Sequence, residues 1–352
     1  MKKFIIITCG TFSLFSCKKE YVEPADKNLI GGYTSYLVDM NYLSHSGKDL
    51  YIQMDIGFVY GGEGIDDEIV PDSVFKNYTY NSHTVTVESI QPLQLSESKS
   101  YSNLILLDIS GDWNYYDSFN AKTRALHKSI LDGKANSLNE IALGSFAREG
   151  YYQNEQSIWV FEDGNPFTQT REELGKILFD KYWEYQGTSN VYNAINIMID
   201  NHVYFSQHQN KNITVITHEL PDGLDTVSVN QIIAKAIAND ITINVMIVAD
   251  NDDGQLAKLA LQTGGFVQII SSTNYKNLLL LDVVDQAAPI MACLDRILSK
   301  NVFVHRVILK LRKTLGNWQP GTNIYNYYQT VERYTDSTFK VNNYIPYYVT
   351  VP

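Results

Sequence analysis

The stretch "LILLDISGDWNYYD", residues 104–117, is the part of the chain from which the fold can be predicted. Four apolar residues lead directly into Asp108, and Ser110 and Asp112 follow at every second position. A short apolar run of this kind is typical of a buried strand. In an extended or gently turning segment alternate side chains point the same way, so these three residues can reach one point. The stretch therefore predicts a buried strand that ends in a cluster of oxygen ligands.

Beyond this stretch, strand-like and helical segments alternate along the chain. The strand-like runs are 103–109, 139–147, 157–162, 212–217, 241–248 and 266–270. The helical stretches lie near 118–132, 170–183, 190–204, 228–239, 253–263 and 280–299. Such alternation builds a sheet of mostly parallel strands with helices on both faces. We therefore predict an α/β fold for residues 101–300, with the oxygen cluster at the carboxyl ends of the strands, where such sheets bind ligands.

The two flanks of this region show a different periodicity, in which apolar residues recur at every second position. Alternation runs through Leu50 to Tyr60 and returns from Val307 to Leu311, and the Tyr-rich end also reads as strands. The simplest interpretation is one β-sandwich formed by residues 31–100 and 301–352, with the α/β domain inserted in it. Two separate small β-domains remain an alternative, although each would have a marginal core.

The first residues have the pattern of a processing signal. Two lysines precede an apolar run at 4–15, which is too short to span a bilayer as a mature helix. The run ends in "LFSC", residues 14–17, which resembles the lipobox of bacterial lipoproteins. That resemblance implies cleavage before Cys17, lipidation of Cys17, and a membrane-anchored lipoprotein of the cell envelope, periplasmic or surface-facing; an ordinary cleaved signal peptide is the alternative. The segments expected are a signal peptide at 1–16 and a tether at 17–30.

Charge and cysteine content exclude some classes of function. The chain carries 39 acidic and 28 basic residues, a formal net charge of −11. This argues against nucleic acid as a partner, because phosphates require a basic surface. An acidic partner would need a bridging cation. After cleavage only Cys17 and Cys293 would remain, and lipidation of Cys17 leaves no pair for a disulfide.

The ordered motifs of the central region resemble the von Willebrand factor A domain, also called the integrin I-like domain. That family's metal ion-dependent adhesion site uses Asp-x-Ser-x-Ser after the first strand. "DISGD" keeps Asp108 and Ser110 of that motif and replaces its last Ser with Asp112. "GTSNVYNAI" at 187–195 resembles the family's Gly-Gly-Thr-Asn-x-x-x-Ala stretch, and its spacing places Ser189 at the Thr position.

The third part of the family's site departs from the pattern. "NITVITHELPDGLD" at 212–225 resembles the strand that normally ends in Thr-Asp-Gly, but His218 follows Thr217. We take His218 as the positional equivalent of the family's Asp; Asp222, displaced by an insertion, is the alternative. Downstream, "LAKLALQTGGFVQII" at 256–270 is similar to the family's helix, Thr-Gly-Gly turn and last strand. The resemblance covers about 200 of the 352 residues.

The resemblance implies a divalent-metal site that binds a protein partner, in which a carboxylate of the partner completes the coordination of the ion. The residues implied as ligands are Asp108, Ser110, Asp112, Ser189 and His218. Oxygen-rich ligands suit Mg²⁺ or Mn²⁺, and imidazole suits Mn²⁺ better than Mg²⁺. Two readings stay open: a metal-dependent binding site, and a degenerate, metal-free scaffold in an envelope assembly.

An enzyme is the third hypothesis, and the sequence gives it little support. It would use Asp108, Asp112 and His218 as a metal-assisted hydrolytic site, which requires a deep pocket. The sequence contains no Gly-x-Ser-x-Gly, His-Glu-x-x-His, phosphate-loop or dinucleotide motif. We therefore expect a non-enzymatic protein. His202 and His208 are six residues apart, the wrong spacing for one helical face, and are predicted to lie in a solvated loop.

Overall fold

The computed structural model describes fourteen segments of the chain, and structural statements concern these alone. They are residues 33–60, 63–64, 75–80, 82–97, 99–108, 110, 139–148, 156–160, 167, 189–217, 227–248, 254–270, 297–333 and 340–352. The predicted signal peptide, Cys17 and the tether lie outside them, as do Asp112, His218, the helices expected near 118–132 and 170–183, and most of that at 280–299.

The described segments form fourteen strands and three helices of at least eight residues. The strands are β1 Tyr33–Ser46, β2 Asp49–Tyr60, β3 Glu63–Gly64, β4 Tyr78–Thr79, β5 His83–Ser96, β6 Tyr101–Asp108, β7 Glu140–Arg148, β8 Gln156–Val160, β9 Asn210–Thr217, β10 Ile241–Val248, β11 Val267–Ile270, β12 Asn301–Lys313, β13 Asn323–Arg333 and β14 Lys340–Thr350. The helices are α1 Val191–Phe205, α2 Val229–Ala238 and α3 Gln255–Gln262. Among the described helices, none is long and apolar enough to cross a membrane.

The two flanks of the chain build one antiparallel sheet. Its order is β1-β2-β12-β5-β4, with β3 paired to β2, so the C-terminal strand β12 lies between two N-terminal strands. One face packs against the hairpin β13–β14. The alternation from Leu50 to Phe58 supplies the inward residues of β2, and Tyr328 and Tyr347 supply large buried side chains of the hairpin. The flanks thus form a two-layered β-structure around a shared apolar core.

The central region forms a six-stranded sheet of order β11-β10-β9-β6-β7-β8. Neighbouring strands run parallel except at one edge, where β8 runs antiparallel to β7. Within the sheet, β7 and β8 lie on one side of β6, whereas β9, β10 and β11 lie on the other side. Every residue of β6 is buried, as expected for the central strand of a sheet covered on both faces.

One face of the parallel sheet is covered by the three helices. Apolar residues of α1, α2 and α3 pack there against β6, β9 and β10 in one buried cluster. Helix α2 starts with a capping box, in which Ser228 and Gln231 satisfy each other's backbone N–H groups. Ser189, two residues before α1, contacts Asp108 at the end of β6, so the N-terminus of α1 lies at the carboxyl edge of the sheet, where the oxygen cluster is expected.

The opposite face of the parallel sheet packs against the flanking sheet. Ile105 and Leu107 of β6 belong to the same buried cluster as Tyr36 of β1 and Val302 and Val304 of β12. The two sheets therefore share apolar surface directly.

The predicted fold class is confirmed in the described residues: an α/β region with a mostly parallel sheet, flanked by N- and C-terminal strands that pair with one another. One detail differs: the run at 157–162 pairs antiparallel at the edge, a direction that periodicity does not encode. Of the described residues that cover the second face, most are strands rather than helices.

Candidate functional site

The candidate site lies where the strand order of the parallel sheet reverses. Asp108 is the last residue of β6, and the pairing of Leu107 with Ile216 brings the end of β6 beside Thr217, the last residue of β9. The strand that follows β6 in the chain, β7, lies on one side of this pair, whereas β10, which follows β9, lies on the other side. In open α/β sheets this switch point is the usual place for a ligand.

Asp108 joins three separate segments through its carboxylate. Its Oδ1 accepts a hydrogen bond from the Ser110 backbone N–H at 2.9 Å. Its Oδ2 accepts from the Ser189 hydroxyl at 2.9 Å and from the Thr217 hydroxyl at 2.6 Å. All four residues are buried. The loop after β6, the residue before the N-cap of α1 and the end of β9 therefore converge on one carboxylate.

The three groups that donate to Asp108 are neutral. The dipole of the neighbouring helix α1 adds a favourable interaction with the Asp108 carboxylate. A carboxylate can be buried only when hydrogen bonds or opposite charge replace its water. Helix α1 begins at Val191, two residues after Ser189, so its positive N-terminal end lies next to Asp108. The helix dipole stabilises negative charge in this position. The local structure thus fixes the orientation of the Asp108 carboxylate.

Asn190 is the N-cap of α1 and accepts the Ala194 N–H with its backbone carbonyl, but its side chain has no such role. It is fully buried, and its side chain makes no capping hydrogen bond. Neither its amide oxygen nor its amide nitrogen finds a hydrogen-bond partner among the described residues. A buried amide in this state is costly and marks a place where a further group would bind.

The donor set at this edge fits a hard divalent cation. Among the described residues no three His, Cys, Asp or Glu side chains gather into one group. Among the described residues, the site instead brings the Asp108 carboxylate together with the hydroxyls of Ser189 and Thr217. Ser110 and Asn190 lie next to these residues in the chain. Mg²⁺ is usually bound through only one or two carboxylates, and a hydroxyl that donates to Asp108 still has lone pairs for an ion. The orphaned amide of Asn190 is the observation that favours a bound group.

Three of the predicted site residues come together in the structure: Asp108, Ser110 and Ser189. Asp112 and His218 lie outside the described residues, so their assignment stays a prediction. Thr217 and Asn190 were not predicted as site residues. Thr217 could have been found because an apolar run ends in it at the level of Asp108. Asn190 matches the Asn of the Gly-Gly-Thr-Asn stretch, and that match could have pointed to it.

The prediction of a solvated loop is wrong for His202, which is fully buried in α1. Its Nε2 lies 3.1 Å from the Ser102 carbonyl oxygen and 2.9 Å from that of Asn212, so the imidazole ties the helix to two adjacent strands. Burial lowers its pKa, and the carbonyl contacts offset this in part. The six-residue spacing from His208 could not predict the burial of His202, because its contacts are made to strands that are distant in sequence. His208 is half-buried, with its backbone N–H donating to Ser102 Oγ at 3.2 Å.

Comparison with solved structures finds proteins of the von Willebrand factor A type. One is a von Willebrand factor type A protein from Catenulispora acidiphila, with 11% identity over 91% of this chain and 74% of that one, at a TM-score of 0.42. Another is proximal thread matrix protein 1 of the mussel byssus with a zinc-occupied MIDAS motif, at 10% identity, 64% and 49% coverage and a TM-score of 0.42. A third is the ArnB paralogue VWA2 of Sulfolobus acidocaldarius, at 13% identity, 91% and 75% coverage and a TM-score of 0.36.

These likenesses concern the fold alone, and they are too distant to carry an argument about function. The chain spans about half the length of the mussel protein it matches. The sequence matches no protein-family model and no curated protein. The features of this chain that bear on its function are its own strand order and the residues around Asp108.

Proposed function

We propose that this chain is a cell-envelope lipoprotein that binds a protein partner at the carboxyl edge of its parallel sheet. A divalent cation, Mg²⁺ or Mn²⁺, would lie beside Asp108, and a carboxylate of the partner would complete its coordination. The protein would act by binding, without catalysis. Asp112 and His218 keep the roles that the sequence suggested, a second carboxylate and a group that shapes the remaining coordination position.

The single observation that carries this proposal is the convergence on Asp108 at the switch point. Three segments that are distant in sequence supply hydroxyl or amide groups to one buried carboxylate. The neighbouring amide of Asn190 has no partner among the described residues. A site with an unused ligand, placed where α/β sheets bind ligands, supports a binding function.

Each residue would have a defined role when the ion is bound. The Asp108 carboxylate would hold the cation directly or through water, and the hydroxyls of Ser110, Ser189 and Thr217 would supply neutral oxygens. The cation would attract a partner's carboxylate, which the acidic surface of this chain would otherwise repel, since the net charge is −11.

Thermal unfolding in the presence of EDTA, Mg²⁺, Mn²⁺ and Ca²⁺ tests the metal. We expect Mn²⁺ or Mg²⁺ to raise the melting temperature of the wild type, because a ligand at a hundred times its Kd adds about 2.7 kcal/mol. In a protein of this size that is a shift of several degrees. Asp108→Asn should abolish the rise.

Asp240→Asn is the matched control for this experiment. Asp240 is exposed and has a φ of 53°, a conformation that Asn adopts readily, and it lies at the opposite edge of the sheet. The Asp240→Asn substitution removes the same charge without touching the site, so the rise in its melting temperature with metal should equal that of the wild type. Absence of any metal-dependent rise in the wild type would contradict the metal-dependent form of the proposal.

The lipid anchor rests on the "LFSC" stretch at 14–17 and has its own test. We expect the full chain expressed in a bacterium to incorporate radiolabelled palmitate and to fractionate with membranes. Cys17→Ser should lose both, whereas Cys293→Ser should keep both. Equal labelling of the wild type and Cys17→Ser would refute the lipoprotein assignment and leave the binding proposal unaffected.

A metal-free scaffold is the second candidate, and one observation favours it. The Asp108 carboxylate already accepts three hydrogen bonds from the chain itself, which is enough to hold a buried charge. On this reading Asp108 is a structural tie between β6, β9 and α1. Asp108→Asn would then lower the melting temperature by the same amount with and without metal, whereas the metal-binding site predicts a difference between the two conditions.

A further inference from the structure

A second polar site lies at the opposite, amino-terminal edge of the parallel sheet, in the seam between that sheet and the flanking sheet. A cavity of about 70 Å³ opens there. Apart from apolar residues of the seam, its lining consists of Lys99, Asn210, Asn212, Thr242, Asn244 and Lys300. None of these residues takes part in the site around Asp108, and the proposed function does not use them.

The polar lining interrupts a face that is otherwise apolar. On the same face of the same strands, Ile105, Ile216 and Met246 pack in the cluster shared by the two sheets. Strands of a parallel sheet with both faces covered usually read as continuous apolar runs. Asn212 and Asn244, at about 3% and 2% exposure, are therefore exceptions that require a physical reason.

Most of the buried polar groups satisfy one another across the strands. The Thr214 hydroxyl donates to Asn103 Oδ1 at 3.0 Å. Asn244 Nδ2 donates to the Thr214 hydroxyl at 3.4 Å, and Asn244 Oδ1 accepts from the Phe266 backbone N–H at 3.2 Å. This chain of hydrogen bonds fixes the orientation of the Asn244 amide.

Asn212 is left out of this network. It pairs in register with Asn103 and Thr242, so it lies in the row next to the network. Its Nδ2 is buried and has no hydrogen-bond partner among the described residues. Asn212 is one of the residues that line the cavity, so its unused donor lies in the wall of the space in which a ligand would bind. A buried N–H donor without an acceptor calls for an acceptor.

Two lysines give the cavity a positive character in an acidic protein. Lys300 is half-buried at its rim, and Lys99 is exposed beside it. Glu97 pairs with Lys99 at 2.7 Å, so the three side chains together carry one net positive charge. Ammonium groups and amide N–H groups are donors and bind acceptor-only oxyanions with charge-assisted hydrogen bonds.

The volume sets the size of the ligand. A cavity needs roughly 10–15 Å³ to hold one water molecule, so this cavity of about 70 Å³ has room for about five water-sized atoms. That is the size of a small oxyanion such as phosphate, sulfate or acetate. We propose that this seam cavity binds one small oxyanion, a phosphate-type or carboxylate group, held by Asn212, Lys300 and Lys99.

Isothermal titration calorimetry of the purified protein with phosphate, sulfate and acetate, each at matched ionic strength, tests the proposal. We expect one saturable site for at least one of these anions. Binding of phosphate or sulfate would identify a tetrahedral oxyanion as the ligand, and binding of acetate alone would identify a carboxylate. Titration with sodium chloride should give no saturable heat.

Two variants locate the site, and one serves as a control. Asn212→Asp places a carboxylate in the cavity and should abolish binding by repulsion. Lys300→Gln removes a half-buried charge with little risk to folding and should raise the Kd at least tenfold. Lys48→Gln removes an exposed lysine in the β1–β2 turn and should leave the Kd unchanged. The proposal is overturned if no anion binds saturably at millimolar concentration, or if binding survives Lys300→Gln unchanged.

Discussion

At the scale of single residues, the donors to the buried Asp108 carboxylate among the described residues are neutral groups. Hydrogen bonds to an ionised group contribute about 1.5–3 kcal/mol each, roughly twice the value for neutral pairs. The three donors that reach Asp108 are therefore energetically important even without a cation. The shortest of the three donor–acceptor distances, 2.6 Å, belongs to the Thr217 hydroxyl.

Thr217→Val and Thr217→Ser separate the hydroxyl from the shape of the side chain. Val removes the donor at nearly equal volume, so we expect a loss of about 1.5–3 kcal/mol in the free energy of unfolding. Ser keeps the hydroxyl and should cost clearly less. Chemical denaturation of the three proteins measures the difference. Equal losses for Val and Ser would mean that Thr217 acts through packing and not through its bond to Asp108.

His202 predicts how stability depends on pH. Burial lowers its native pKa below the ordinary value of about 6.5. Below pH 6.5 the unfolded chain therefore binds a proton that the native histidine does not, and the free energy of unfolding falls as the pH is lowered toward the native pKa. Denaturation at pH 7.5, 6.5 and 5.5 should show this decrease.

His202→Gln removes this titration, so its stability should fall less than that of the wild type over the same pH range. The decrease does not vanish, because burial also lowers the pKa of His83 in the flanking sheet. His83→Gln is the matched variant and should remove a separate share. If His202→Gln keeps the full pH dependence of the wild type, the native His202 is not held neutral.

Only some of the residues that the structure singles out could be predicted from the sequence. Asp108, Ser110 and Ser189 follow strand ends or precede a helix, and those positions can be read from periodicity and motif order. Asn212 could not be found in this way, and the motif match of Asn190 did not show that its side chain is unpaired, because both features depend on which buried groups remain without a partner. Pairing of side chains is a property of the packed structure, and one sequence does not contain it.

At the scale of elements, the turn between α3 and β11 offers a sharp contrast between two adjacent glycines. Gly264 has a φ of 78°, and a Cβ built there meets nothing within 4 Å. A Cβ on Gly265 would lie 1.9 Å from the backbone oxygen of Ile243. The first glycine is required by conformation alone, and the second by the close approach of two backbones.

Gly265→Ala should therefore destabilise the protein far more than Gly264→Ala. An alanine at positive φ costs about 1–2 kcal/mol. At Gly265 the β10–β11 backbones must separate, and we expect a loss of about 3 kcal/mol or more. Thermal unfolding of both variants measures the ratio. Similar losses at the two positions would show that the contact with Ile243 relaxes easily.

Within the central region, the described helices and strands were predicted to within a few residues, because long apolar periodicities specify element type. Helix α1, for example, was expected at 190–204 and spans Val191–Phe205. Two features of assembly were not encoded locally. The antiparallel direction of β8 and the position of β12 between β2 and β5 depend on long-range pairing. The sequence predicted that the two flanks form one β-structure, but it did not predict the order of the strands.

At the scale of the whole molecule, β12 connects the two layers of the structure. Val304 is fully buried in the cluster shared with the parallel sheet, and Val307 is fully buried in the core shared with the β13–β14 hairpin. One strand thus contributes opposite faces to two cores. Interfaces between domains are often polar and permit motion, whereas this seam is largely apolar, which favours joint unfolding.

Val304→Ala and Val307→Ala form a matched pair that tests joint unfolding. Each removes the same two methyl groups from the same strand, and each should cost about 2 kcal/mol. If the two sheets unfold as one cooperative unit, both variants should lower the hydrogen-exchange protection of the slowest β6 amides by roughly 30-fold. Mass spectrometry of peptides covering 101–108 reports this directly. If Val307→Ala leaves β6 protection unchanged while Val304→Ala lowers it, the parallel sheet unfolds independently and the seam is only a contact surface.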